Sequence, residues 1–384
     1  MSFSSSTPRL FISCGGSLEP FLMEELLELG IRDVEKGFRG VLVPKTMDAV
    51  YRINYGSRIA TRVLWPLLEF PCEGRRSLYQ AVSSIDWGLY LKPDQTFAID
   101  ANLGLPSKGN VEGDALNNSH FAALVVKDAI CDQQRARFHA RSSVDVKFPH
   151  VQLNLFIHKG MGILYYDTSL QPLYKRGYRI ESGEAPLQES LAAAILRKVG
   201  YNQQAILCDP FAGSGTFLME AAMMATRTPP GIFRKVWGFE RMRDYSKEAW
   251  GAVKTLLDAQ KIPLQSGKIF GADEDRSMVG ITSELLDRAG FGKEIPMYPR
   301  SILQFHPTVK PTLVVGNPPY GRRLSRNAGL EKEISLFLER ERIHNAYFLF
   351  PDDKKIDMPH HKELSCLNGG LGVHLIRPIH IRNV

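Results

Sequence analysis

The sequence predicts an α/β protein: an open, mostly parallel sheet built by about the last 200 residues, preceded by an α+β region of about 180. Two observations carry this. From residue 183 onward, apolar runs alternate as strand, turn and helix, the rhythm of crossover connections. Three of those strand-like runs also share one design: 205–208 closes on Asp209, 268–271 on Asp273, and 312–316 on Asn317. In a parallel sheet, side chains at the carboxyl ends of strands line the ligand crevice, so three polar strand ends predict one shared site.

Composition bounds the reading. A chain of 384 residues, 44% apolar and 23% charged, can bury two or three cores of its own. Its longest uncharged apolar stretches are strand-sized, far below the roughly 20 residues that span a bilayer, so no membrane partner is expected. Residues 1–16 are polar and serine-rich around a brief Leu10-Phe11-Ile12 and lack the parts of a secretory signal, which predicts a cytoplasmic protein. The five cysteines, at 14, 72, 131, 208 and 366, are scattered without a Cys-x-x-Cys spacing. Reduced, buried thiols and no metal site are the expectation. A formal charge of +7 suits a polyanionic partner.

In the N-terminal part, residues 10–13 read as a strand. Residues 19–29 read as a helix with Phe21, Leu22, Leu26 and Leu29 on one side and Gly30 as its stop. A second strand is expected at 40–43 and a second helix at 47–63, with Val50, Ile53, Ile59 and Val63 on its apolar side; 97–101 is a further strand. Residues 103–119, rich in Gly, Asn and Pro, read as an exposed excursion before a helix at 121–130. The run 133–147 then offers Arg135, Arg137, His139, Arg141 and Lys147, either a phosphate-contacting face or a solvated surface. Residues 151–157 alternate as a strand with one mostly polar face, and 160–166 read as its hairpin partner.

In the C-terminal part, Pro186 suits the first turn of a helix lined by Leu187, Leu191, Ile195 and Val199, and Gly200 ends it. Asp209-Pro210-Phe211-Ala212-Gly213-Ser214-Gly215-Thr216 follows a strand and opens a helix at 217–226, so its glycines let backbone approach a ligand. A dinucleotide fingerprint would place a third glycine where Leu218 stands, and a P-loop would need Gly-Lys-Ser or Gly-Lys-Thr. Both are absent. An acid directly before the turn disfavours phosphates and suits a cation, as in a sulfonium cofactor with an amino-acid tail. Asp273 can accept from ribose hydroxyls, while Asp275 reads equally as the cap of a helix starting near Arg276. Residues 229–250 read as an insertion between these two strands.

Asn317-Pro318-Pro319-Tyr320 carries the sharpest chemical signal. Two prolines stiffen the turn and remove two backbone donors, leaving carbonyl acceptors. The Asn317 side-chain oxygen and the Pro318 carbonyl can together hold both hydrogens of a base NH2, aiming the nitrogen lone pair at an electrophilic methyl, and Tyr320 offers a face for stacking. Positioning supplies most of the rate in such a displacement. The base must be splayed out or single-stranded, with Arg322, Arg323 and Arg326 able to hold flanking phosphates.

These residues, with Ser84–Trp87, Val126–Ile130, Leu155–Lys159, Arg176-Gly177-Tyr178-Arg179, Ala185-Pro186-Leu187, Glu189, Pro230-Gly231 and Trp237-Gly238-Phe239 in this order, resemble the bacterial THUMP-domain RNA methyltransferases. The likeness is greatest to the N-terminal methyltransferase half of the 23S rRNA guanine-N2 enzymes. The resemblance implies a ferredoxin-like segment (1–65), a THUMP RNA-binding domain (66–168) and a Rossmann-like class I methyltransferase domain (169–384). It implies S-adenosyl-L-methionine held by Asp209, Pro210, Phe211, Gly213, Ser214 and Gly215, with Asp273 on its ribose. Asn317, Pro318, Pro319 and Tyr320 would hold the guanine, and Arg179 with 185–187 would close over the cofactor. The chain departs from the family at Tyr298-Pro299-Arg300-Ser301, where an acid is common, and at Ala212, where a cysteine is. The second methyltransferase domain of the longer fused enzymes is not expected.

The expected partner is RNA, 23S rRNA first and tRNA as its alternative. Two further readings stay open: a DNA amino-methyltransferase, which shares the Asn-Pro-Pro-Tyr geometry, and an RNA-binding assembly factor with an idle methyltransferase fold.

Overall fold

The computed structural model describes residues 8–104, 115–116, 118–179, 187–319 and 329–379. The N-terminal part contains β1 (Arg9–Ser13), α1 (Glu19–Glu28), β2 (Glu35–Lys36), β3 (Gly40–Pro44), α2 (Met47–Gly56), β4 (Arg62–Pro71) and α3 (Arg75–Ser83). It continues with β5 (Thr96–Leu103), α4 (Ser119–Phe138), β6 (Ser143–Val144), β7 (Val151–His158) and β8 (Met161–Asp167). All eight strands join one sheet in the order β2-β3-β1-β4-β8-β7-β5-β6. β4 makes this possible. It pairs with β1 through Phe11↔Leu64 and with β8 from Leu64↔Asp167 to Pro71↔Met161, so the segment expected as ferredoxin-like and the one expected as THUMP share a continuous sheet.

One local expectation is corrected. The helix expected over 47–63 stops at Gly56, because Ser57 turns extended (φ −77°, ψ 130°) and the chain is redirected by a buried acid. Glu25 Oε1 accepts the Arg58 N–H (2.8 Å), and Oε2 accepts the Ser57 hydroxyl (2.5 Å) and the Ile59 N–H (3.2 Å). Ile59 and Val63 are buried as helical spacing suggested, but in a turn and a strand. The mostly polar face expected on β7 is present and largely buried: Gln152 and Asn154 are buried, and Asn154 Nδ2 donates to the fully buried Asp167, which also pairs with Arg62.

The helix expected at 121–130 runs on as α4 to Phe138 and carries part of the basic run. There Arg135 pairs with Asp132 and Arg137 with Asp86, which neutralises much of that face. Most of the expected excursion at 103–119 lies outside the described residues.

The C-terminal part contains α5 (Glu189–Lys198), β9 (Leu207–Asp209), α6 (Thr216–Ala225), α7 (Lys247–Asp258), β10 (Ile269–Asp273), α8 (Arg276–Arg288) and β11 (Met297–Pro299). β12 (Leu313–Gly316), α9 (Leu330–Arg340), β13 (Ala346–Pro351), β14 (His360–Asn368) and β15 (Leu371–Pro378) follow. The sheet order is β11-β10-β9-β12-β13-β15-β14, parallel across the first five strands and antiparallel for the last two. Strand residues alternate between two buried faces, as a parallel sheet requires. Leu207, Ile269, Leu313 and Val315 pack with Leu191, Ile195 and Leu218, whereas Cys208, Phe270, Val314 and Phe348 pack with Ile334 and Phe337. The five cysteines are buried free thiols. Among the described residues no helix is long and apolar enough to cross a membrane.

The segment expected as an insertion at 229–250 docks on the N-terminal half. Tyr51 of α2 lies 5.1 Å from Phe239 and 5.7 Å from Trp250, ring centre to ring centre, and Tyr55 meets Trp250 edge-on at 5.5 Å. A buried ion pair reinforces the seam: Arg176 Nε donates to Glu220 Oε1 of α6 (3.2 Å) and Nη1 to the Leu173 carbonyl (2.9 Å), while Nη2 reaches the Arg58 carbonyl. Glu220→Gln would strand the Arg176 charge in the interior. It is expected to lower the unfolding free energy by about 3–5 kcal/mol, read from the midpoint of urea denaturation followed by tryptophan fluorescence.

Candidate active site

The order of the second sheet reverses between β9 and β12. From β9 the chain proceeds outward through β10 and β11, and from β12 it proceeds the other way through β13. Such a switch point opens a crevice at the strands' carboxyl ends. The parallel register Leu313↔Leu207 and Val314↔Cys208 brings Asp209 and the Gly316-Asn317 step to the same edge. Gly316 permits the approach. A Cβ there would lie 3.1 Å from the Phe211 ring and 3.1 Å from Phe348, whose rings meet edge-on at 6.1 Å. The glycine loop therefore leans over β12 instead of standing away from it.

Asp209 is buried with Oδ1 accepting the Phe211 N–H (3.0 Å). Loss of solvation pushes its carboxyl up to about 8, the Asp273 charge adding to the shift and the Phe211 bond opposing it. Pro210 is buried beside it. Gly213 and Gly215 both take the left-handed backbone (φ +50° and +76°), and a Cβ on Gly215 would lie 2.6 Å from Thr282 Cγ2. Thr282 is fully buried on α8, and its hydroxyl donates to the Gly213 carbonyl (2.6 Å). Sequence reasoning missed this residue; its one signal was a polar side chain on the apolar side of the helix after Asp273.

Asp273 Oδ2 accepts the Gly213 N–H (2.8 Å) and Oδ1 the Asp275 N–H (3.0 Å), which fixes the carboxylate between the two loops. Asp275 caps α8 by accepting from Ser277 N (2.8 Å). Arg179 ties the third segment in: Nη1 donates to Ser214 Oγ (3.0 Å), Nη2 to Thr216 Oγ1 (2.9 Å) and the Leu187 carbonyl (2.8 Å), and Nε to Glu189 (2.6 Å). Thr216, which was not anticipated, serves as the hydroxyl of that clamp. The Arg179 cation is thus engaged with Glu189, so the crevice itself presents acids and acceptors.

At the other wall, Pro318 is buried, and Asn317 Oδ1 is buried with no hydrogen-bond partner among the described residues. An unpartnered buried acceptor costs about 1–3 kcal/mol, and a ligand donor would recover that. Tyr320, Arg322, Arg323 and Arg326 lie outside the described residues, as do Ala185 and Pro186. β11 sets Tyr298 beside Ala272 and Pro299 beside Asp273, so no acid from 298–301 stands on that side.

Comparison with known proteins decides the family. The family described as RMKL-like, methyltransferase domain matches residues 176–349, the THUMP domain 76–167, and the RlmL ferredoxin-like domain 9–64. The chain is 34% identical to slr0064 of Synechocystis sp., which bears the name putative RNA methyltransferase, over 85% of this chain and 83% of that protein. The chain belongs to the THUMP-domain RNA methyltransferases. It is 33% identical to the ribosomal RNA large subunit methyltransferase K/L of Pseudomonas entomophila over 96% of its own length, but spans about half (52%) of that relative. SMU.472, a putative methyltransferase solved with SAH, shares the fold across 99% of this chain and 100% of its own, with a TM-score of 0.80 at 24% identity.

S-adenosylmethionine is the methyl donor of this family, and the crevice fits it. The two positive-φ glycines keep Cβ atoms out of the loop, the buried Asp209 matches a cationic amino-acid group, and the fixed Asp273 carboxylate is an acceptor of the kind ribose hydroxyls need. Gly215→Ala tests the cradle. Its strained φ and the 2.6 Å contact with Thr282 are expected to cost about 1–3 kcal/mol of stability in thermal denaturation. Cofactor affinity, by calorimetry, should fall at least about tenfold as the loop shifts.

Proposed function

We propose that this chain methylates the exocyclic N2 of a guanine in RNA, with 23S ribosomal RNA as the first candidate. The observation that carries the reading is the unpartnered, buried Asn317 Oδ1 on the same sheet edge as Asp209. Under this reading residues 1–65 and 66–168 form the ferredoxin-like and THUMP parts that engage the RNA, and 169–384 the catalytic domain. The ribosomal assignment draws on the names of the K/L relatives, and guanine N2 on the base-NH2 geometry together with the family likeness.

The bound cofactor supplies an electrophilic methyl on a sulfonium. Asp209, Pro210, Phe211, Gly213, Ser214 and Gly215 seat it, and Asp273 holds its ribose. Asn317 Oδ1 and the Pro318 carbonyl accept the two N–H bonds of the guanine amine, which keeps its lone pair out of ring conjugation. Pro319 stiffens the corner, and the role assigned to Tyr320, outside the described residues, is to stack on the base. With the donor bound, the amine nitrogen held by Asn317 and Pro318 would take the methyl as the sulfonium's C–S bond gave way, and the surplus proton on nitrogen would leave to solvent. No group of three or more metal-ligating side chains gathers among the described residues, and this displacement calls for none.

The deciding experiment is in vitro methylation of separated rRNA and tRNA with labelled cofactor, followed by mapping of the product nucleoside. N2-methylguanosine in 23S rRNA is expected; product confined to tRNA would move the substrate, and methyl transfer only to duplex DNA would overturn the reading. Asn317→Ala should reduce kcat on the order of a hundredfold while cofactor affinity stays within about twofold.

Asp209 makes cofactor binding pH-dependent. With its carboxyl at about 8 in the free fold and 3.8 as the ordinary value, the native state holds a proton across that window that the unfolded chain has released. Stability of the free protein therefore falls as pH rises from about 4 to 8. A cationic ligand favours the ionised form, so affinity should rise by up to about tenfold per pH unit between pH 6 and 8 and level off above. Titration calorimetry of wild type against Asp209→Asn measures this, the variant being weaker and flatter.

A further inference from the structure

Arg179 aside, the motifs at 176–178, 230–231 and 237–239 contribute little to the crevice, yet the structure gives them common work where the two sheets meet. Arg234 gathers the connecting segment around one guanidinium. Nη1 donates to the Pro172 (2.9 Å) and Lys175 (3.1 Å) carbonyls, and Nη2 to those of Ser169 (2.8 Å) and Gln171 (3.1 Å). The group also lies 4.8 Å from the Trp237 ring centre, and desolvation holds it down at about 10. The same segment is tied to the N-terminal half by the Leu173 N–H on the Thr61 carbonyl (2.7 Å) and by Thr168, whose hydroxyl donates to the Val63 carbonyl (2.8 Å).

Three glycines press the backbones together. A Cβ on Gly238 would lie 2.3 Å from the Asp167 carbonyl oxygen at the end of β8. On Gly231 it would lie 2.9 Å from the Tyr55 carbonyl oxygen, and on Gly177, at φ +98°, 2.9 Å from that of Phe233. A hinge needs residues free to absorb a backbone rotation, and here the carbonyls that would rotate are held. An untied segment of about eight Gly-rich residues would let its ends wander over about 15 Å. At about 3.4 Å of rise per nucleotide, that blurs several neighbouring positions.

We infer that this seam is a rigid joint which fixes the distance between the N-terminal half and the Asn317 corner, and that Arg234 is a positioning residue selecting which nucleotide of a bound RNA is methylated. The inference rests on the RNA methyl-transfer reading above. Arg234 touches neither cofactor nor base; it acts through the segment it clamps.

The test uses the full chain with spin labels at Gln80→Cys and Glu339→Cys, exposed positions on α3 and α9, the native thiols being buried. Double electron–electron resonance should give one narrow distance distribution, broadened by Arg234→Met and intermediate for Arg234→Lys, whose ammonium has three donors for four carbonyls. On the RNA that wild type modifies, Arg234→Met should spread methylation to neighbouring guanines and lower kcat at the original one about tenfold or more. The Kd values for RNA and cofactor should stay within about twofold. A broad wild-type distribution overturns the joint, as does a narrow one that Arg234→Met leaves unchanged. Unaltered site choice and rate in a variant that has loosened overturns the positioning role. Should wild type methylate no RNA, the functional reading falls with that role, while the distance measurement still rules on the joint.

Discussion

The parallel pairing of β9 with β12 is the constraint on which the site depends. Two strands separated by about a hundred residues of chain lie side by side because the sheet grows outward in both directions from them. That places the point where the parallel strands reverse their lateral order between Asp209 and Asn317. Gly316 is the second half of the constraint. It leaves room for the Phe211 ring over β12, and through that ring the 209–216 loop and the 317 corner share packing as well as an edge. A larger residue at 316 would move one wall of the crevice without changing any group that does chemistry.

The electrostatics of the crevice follow from burial. Asp209 and Asp273 face the same loop, and the nearby Arg179 is occupied by Glu189, Ser214, Thr216 and the Leu187 carbonyl. A ligand carrying phosphates would meet two carboxyl groups here, whereas a cationic one relieves the cost of ionising Asp209. The charge pattern distinguishes a sulfonium donor from the nucleotides that other glycine loops bind. Oriented hydrogen bonds do the rest: Thr282 and Asp273 grip Gly213 from both sides, so the loop is held before any ligand arrives.

Much of this was legible in the sequence because it depends on short-range chemistry. Strand ends closing on Asp209, Asp273 and Asn317, and glycines at 213, 215 and 200, each signal through the residues next to them. What was missed depends on distant partners. The helix at 47–63 was overextended because Ile59 and Val63 are buried and in phase, and the acid that turns the chain after Gly56 lies more than 30 residues away at Glu25. The burial of the polar face of β7 was not read from the sequence, since nothing near Asn154 announces Asp167 and Arg62. The same holds for 229–250, whose aromatic residues read as an insertion until their partners Tyr51 and Tyr55 are known.

Buried polar atoms without partners separate structure from function here. Among the described residues they include Arg9 Nε, Arg58 Nη1, Arg234 Nε, Asn54 Oδ1 and Asn317 Oδ1. Arg9 and Arg234 bond through both of their remaining guanidinium nitrogens and Arg58 through Nη2, and the Asn54 amide nitrogen donates to the Val50 carbonyl and to Thr168. Their unpaired atoms are remainders of side chains that secure the N-terminal sheet or the seam between the halves. Asn317 differs by position. It begins a turn stiffened by two prolines, at the point where the sheet's order reverses and across from a buried acid. In that setting, under the proposed function, the open acceptor is a place for a nucleobase amine, whose lone pair would then face the 209–216 loop.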